Sequence, residues 1–179
     1  MRTTTIRTIT MGAALAAVLT AASRTSYAGD HHGAELAQLR AATASYHRHQ
    51  VAVDRGGFAL ELADLSGLTC IEDPSGTGAM GTHWVNLGEV GDGEVDITEP
   101  EVLLYDMSQP EPRLLGVEYV VLVADWGEDR DPPILFGHEF HLVEAGNRYG
   151  LADFYEMHAW IWHHNPSGMF NDWNPRVDC

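Results

Sequence analysis

From Leu114 to Val123 the sequence reads LLGVEYVVLV, a run whose only charge is Glu118. A segment this apolar and this rich in β-branched residues predicts a strand buried on both faces. It also poses a chemical question, because an unpaired carboxylate in such a strand costs several kcal/mol. Glu118 must therefore be protonated, ion-paired or bound to a metal. Cationic partners are scarce: the chain has no lysine, and its 10 arginines face 26 acids.

The surrounding pattern is strand-like as well. His83–Leu87, Val102–Met107, Ile134–Val143 and Glu156–His163 are further strand candidates, separated by polar or Gly- and Pro-rich connections. Ser108–Pro112 is short enough for an antiparallel hairpin, and no helix of crossover length separates the last four strands. Upstream, Leu36, Leu39, Ala42, Tyr46 and Val53 recur at helical spacing between Ala34 and Asp54, and Gly56-Gly57 supplies the stop. Glu61–Leu65 reads as a further helical turn and Glu72–Gly81 as a loop. The expected class is α+β: an N-terminal helix packed on a curved antiparallel sheet, or a small β-barrel, of about five strands.

Residues 1–28 carry the pattern of a secretory signal peptide. Arg2 and Arg7 precede an apolar run, Met11–Ala22, and Ser26-Tyr27-Ala28 follows with small residues where a signal peptidase cuts. The apolar run is shorter than the roughly 18–20 residues that a membrane-spanning helix needs. No paired arginine and no cysteine stands near the cut, which argues against twin-arginine export and a lipid anchor. Cleavage near Ala28 leaves residues 29–179 as a single exported α+β domain, large enough for its own core. That body keeps seven arginines and all 26 acids, a charge that repels phosphate backbones and anionic lipid. The partner expected is a small molecule, with no nucleic acid and no membrane. Cys70 and Cys179, the only cysteines, are expected to pair in an oxidising compartment and to tie down the last residue.

The final strand candidate reads EMHAWIWHH, from Glu156 to His164, and alternation puts His158, Trp160, Trp162 and His164 on one face. His158 then lies among large apolar groups. His83 opens an earlier strand after a glycine-rich loop. Two imidazoles and Glu118 on adjacent strands form a ligand set for zinc or iron(II). Glu101 follows Pro100 at a strand start and reads as solvent-facing, but would serve as a fourth ligand if it turned inward. The competing reading is structural: two core histidines held by hydrogen bonds, with Glu118 and His158 satisfying each other.

A second metal idea depends on the cut. Cleavage after Ala28 exposes Gly29-Asp30-His31, whose amine, two amides and imidazole suit a square-planar copper(II) or nickel(II) site. A third idea is metal-free: Trp160 and Trp162, sharing a face, stack on a sugar or an apolar ligand. Other apparent motifs fail. His138-Glu139-Phe140-His141 spaces its histidines three apart on a strand-like segment, where zincin chemistry needs four on a helix. Asp92, Glu94 and Asp96 miss the EF-hand loop and read as a solvated cluster. No nucleophile elbow, P-loop or dinucleotide fingerprint is present. The run from Asn165 to Pro175 mixes turn formers with Met169, Phe170 and Trp173, and reads as an ordered tail laid across the body.

The blocks GTHWVN (Gly81–Asn86), PEVLLY (Pro100–Tyr105), LGVEY (Leu115–Tyr119) and HAWIW (His158–Trp162), with Asn165-Pro166 through Cys179, resemble a family of uncharacterised secreted bacterial proteins. The resemblance covers most of the exported domain. It implies export and one domain and carries over no catalytic residue. The leading expectation is a secreted protein with a divalent metal held by His83, Glu118 and His158, and a small ligand beside it. The alternatives are a metal-free module for a carbohydrate or apolar molecule, and a metal-dependent hydrolase or lyase.

Overall fold

The computed structural model describes residues 28–179, with side chains from His32 onward. All but the last residue of the expected leader lies outside the described residues. Two helices, α1 (Ala28–Thr43) and α2 (His49–Arg55), are joined by a 3-10 turn over Ala44–His47. Next come β1 (Leu60–Glu61), β2 (Cys70–Glu72), β3 (Ala79–Val85), the short α3 (Leu87–Val90), β4 (Val102–Asp106) and β5 (Arg113–Leu122). A helical turn, α4 (Val123–Trp126), then leads to β6 (Ile134–Leu135), β7 (His138–Glu139), β8 (His141–Val143) and β9 (Phe154–Ala159).

The sheet is antiparallel and open, in the order β1-β3-β4-β5-β9-β8, with β2 also paired to β3. The α+β class and the mainly antiparallel sheet are as expected from the pattern of elements. The barrel alternative is not: β1 and β8 remain free edges of the sheet. As its composition demands, β5 lies inside, flanked by β4 and β9.

Alternation along β5 creates two different faces. Val117 and Tyr119 join Leu103, Tyr105, Met157 and the helical residues Leu39 and Ala52 in one core. Val120 joins Val85, Val102, Leu104, Phe154 and Val177 in a second. The helices thus cover one face, and the carboxy-terminal tail covers the other. Gly78, at a φ of +135°, lets β3 start directly against the Asn174 backbone, where a side chain has no room. Ala79 and Asn174 then exchange backbone hydrogen bonds. Cys70 and Cys179 form a disulfide with their Cα atoms 5.6 Å apart, the bond that an oxidising compartment permits.

Several expectations need correction. Glu61–Leu65 is not helical: it holds the end of β1 and a turn in which the Asp64 carboxylate accepts from the Ser66 and Leu68 N–H groups. That local acceptor competes with helical backbone pairing. Ile134–Val143 is three short strands, because Phe136 and Gly137 adopt positive φ and fold β7 back on β6. The last strand ends at Ala159, where the Trp160 N–H turns to the Met169 carbonyl of the tail. No helix among the described residues is long and apolar enough to cross a membrane.

Candidate metal centre

The register of β5 and β9 assembles the site. Glu118 pairs directly with His158, and Val120 with Glu156. On the next strand His141 pairs with Glu156. Directly opposed residues share a face, so Glu118, Glu156, His158 and His141 all project to the tail side of the sheet. His83 on β3 joins them from beyond β4: its Nε2 lies 3.4 Å from Glu118 Oε2. Among the described residues, two groups bring three ligand atoms within 4.8 Å of one another. They are His83, Glu118 and His158, and His141, Glu156 and Asp172.

The first group is the set expected from the sequence. His83, Glu118 and His158 are all buried, with His158 fully so. The two imidazole rings are nearly perpendicular, their centres 6.1 Å apart. None of the four ring nitrogens of His83 and His158 has a hydrogen-bond partner. The 3.4 Å approach of His83 to Glu118 lacks the alignment of a hydrogen bond. The Gly81 carbonyl favours a proton on the His83 ring but does not meet that geometry either.

Burial dominates the electrostatics. Desolvation, helped by the neighbouring His158, holds the His83 imidazole down to about 3, so the ring is neutral at physiological pH. The Glu118 carboxyl is pushed well above the usual carboxylate range, first by burial and then by the adjacent Glu156. The register of β5 and β9 sets those two carboxyls diagonally beside one another on one face. Burial opposes ionisation of Glu156 too, yet its hydrogen bond from His141, at 2.7 Å, and the proton on Glu118 keep it ionised. The same bond raises the His141 pKa above its ordinary value, against a smaller effect of burial.

Glu101 belongs to neither group. It is not solvent-facing, being only 2% exposed. Its carboxylate accepts the Val120 N–H at 2.9 Å and lines a small acidic cleft with Glu89, Asp92 and Glu99. Burial raises its pKa to about 8, against the lowering effect of that hydrogen bond.

The two indoles part company. Trp160 packs in the tail-side core and donates to the Asn171 carbonyl at 2.6 Å. Trp162 packs on the helix side, edge-on to His47, and donates to Thr43 at 3.3 Å. They do not share a face, because the strand ends at Ala159, before either of them. The backbone of Gly29, Asp30 and His31 lies in α1, and the side chains of that amino-terminal copper or nickel motif lie outside the described residues.

His141, Glu156 and Asp172 were not anticipated. Glu156 sits two residues from His158 on one strand, a spacing that alternation makes informative. His141 stands in a segment whose histidine spacing fits no metal motif. Asp172 reaches the site only because the tail folds back, and no local pattern announces that.

Two cavities flank the cluster. One, of about 120 Å³, is walled by Leu62, Val85, Val102, Val120 and Phe154, and ends on His83 and Glu118. The other, of about 250 Å³, is more open and reaches Glu156 and Asp172 past Met80 and Arg148. Tyr149 lines both and separates them. No family model, curated protein or solved structure matches this chain.

Proposed function

We propose that this is an exported metal-binding protein in which His83, Glu118 and His158 hold a divalent cation, zinc or iron(II). The reading includes cleavage of residues 1–28 and a small, mainly apolar molecule in the adjoining cavity. The observation that carries it is the set of four unpartnered ring nitrogens in a fully buried site. Buried imidazoles ordinarily donate at one nitrogen and accept at the other. Each buried polar atom left unpaired costs about 1–3 kcal/mol. A cation that takes a lone pair from each ring and displaces the proton on Glu118 removes much of that deficit. Mixed imidazole and carboxylate ligands favour zinc or iron over calcium and magnesium, which prefer oxygen alone.

The cavity supports the ligand half of the reading. Apart from His83, Glu118 and the phenol of Tyr149, its walls are hydrocarbon. Leu60, Leu87 and Leu151, all well exposed, stand among its lining residues. A molecule about the size of benzene fits such a volume, with one end at the metal ligands.

Metal content of the full chain, exported by a bacterial host and desalted at high ionic strength, tests the proposal. At least one equivalent is expected in the wild type, retained without Gly29–His32 and lost in His158→Ala. Metal lost only with Gly29–His32 places it at the amino terminus instead. Metal-free wild type, freshly exported, overturns the reading.

A further inference from the structure

The second group offers more than a surface ion pair. Asp172 turns one carboxylate oxygen to each histidine: Oδ1 lies 3.5 Å from His158 Nδ1, and Oδ2 lies 3.7 Å from His141 Nε2. Glu156 is placed similarly: it holds His141 at 2.7 Å, and the β5–β9 register sets it diagonally beside Glu118 on the same face. Two carboxylates therefore span the two groups. His158, between them, is fully buried with both ring nitrogens unpartnered. Such a ring signals a missing ligand, and Asp172 is the carboxylate beside it. Access is present too, since the open cavity of about 250 Å³ ends on Glu156 and Asp172. The one cation on its wall, Arg148, is engaged with Asp64 at 2.8 Å.

We propose that His141, Glu156 and Asp172 hold a second divalent cation, beside that of His83, Glu118 and His158, with Asp172 and Glu156 shared between the two. This rests on the mononuclear reading above and extends it to a carboxylate-bridged pair. The chemistry is that of first-row divalent ions, zinc, iron(II) or manganese(II), which accept mixed imidazole and carboxylate sets. Shared carboxylates are what keep two dications close, each offsetting acidic charge that one ion leaves uncompensated. The fold supplies the second ion's ligands from the edge strand β8, its neighbour β9 and the tail, so this half of the centre forms only when the tail is seated.

Equilibrium dialysis of the chelator-treated full chain against Zn²⁺ at high ionic strength, followed by metal and protein assay, tests the pair. Two equivalents are expected in the wild type and one in His141→Ala, whose side chain is half-exposed on an edge strand and whose fold is checked by circular dichroism. The same protein loaded with Mn²⁺ should give the electron paramagnetic resonance signal of an exchange-coupled pair, replaced by that of an isolated ion in His141→Ala. One equivalent unchanged by His141→Ala overturns the second ion and leaves the first. Two equivalents unchanged by His141→Ala also overturn it, because the extra ion then sits elsewhere on an acidic surface. No binding in the wild type overturns both.

Discussion

Glu118 and His158 face each other in register across β5 and β9, yet neither ring nitrogen of His158 is hydrogen-bonded. Two groups so placed are free to satisfy one another, and they do not. Burial and then the neighbouring Glu156 raise the pKa of the acid, and the imidazole is left open. A core that served stability alone gains nothing from this, since a buried polar group without a partner is a net cost. The proposed cation, shared by both residues, accounts for the arrangement.

Glu118→Gln separates the metal role from a structural one. Without metal, burial and Glu156 keep the Glu118 carboxyl protonated, so glutamine replaces a neutral acid of nearly the same shape. Stability of the metal-free chain in urea should stay within about 1 kcal/mol of wild type. Zinc affinity should fall at least about tenfold, or about 1.4 kcal/mol. A large loss of stability with unchanged affinity contradicts the account.

The metal-free chain should lose stability on both sides of a plateau. Folding raises the Glu101 pKa to about 8, so the folded state holds a proton that the unfolded chain releases, and stability declines as pH rises from the ordinary glutamate value toward 8. Folding lowers the His83 pKa to about 3, so its contribution is complete above the ordinary histidine value and is lost as pH falls toward 3. The two slopes oppose each other between those ordinary values. Glu101→Gln, which keeps an acceptor for the Val120 N–H, should stabilise the chain increasingly up to pH 8, by an amount on the order of a few kcal/mol. Urea titrations across pH check this, and a pH-independent effect of the substitution contradicts it.

The apolar cavity should bind a small hydrocarbon whether or not metal is present. Toluene at about ten times its dissociation constant contributes about 1.4 kcal/mol, a rise of about 3 °C in melting temperature for a domain of this size. Val85→Phe, which fills the cavity from β3, should abolish that rise. Equal shifts in both proteins would place the binding elsewhere.

Removing the disulfide should weaken both fold and site. Cys179→Ser is expected to cost about 2–5 kcal/mol in urea unfolding. It also loosens the tail that carries Asp172, so zinc stoichiometry under subsaturating conditions should fall before the protein unfolds. A stable variant with unchanged metal binding contradicts the seating role given to the tail.

Why some of this was legible in the sequence is clear from particular residues. A lone charge in LLGVEYVVLV marks Glu118 because burial makes its cost local, and period-two alternation marks the face of His158. His83 was legible as a histidine at a strand start, and its arrival at Glu118 depends on β3 pairing with β4 in one register. The pairing of Trp160 with Trp162 misled because alternation was carried past Ala159, where the backbone leaves the strand for the tail. Glu101 misled because a carboxylate at a strand edge reads as solvated, whereas Val120 N–H draws it inward. Asp172 stands on a turn-rich tail, and its place is set by contacts of Asn174, Val177 and Cys179 far from it in pattern.

The most direct test is a crystal structure of the exported, untreated chain with anomalous diffraction recorded on both sides of the zinc and iron absorption edges. An anomalous peak is expected roughly 2.0–2.2 Å from one nitrogen each of His83 and His158 and from a Glu118 oxygen. Ordered side chains there with no peak, or a peak only at Gly29-Asp30-His31, contradict it.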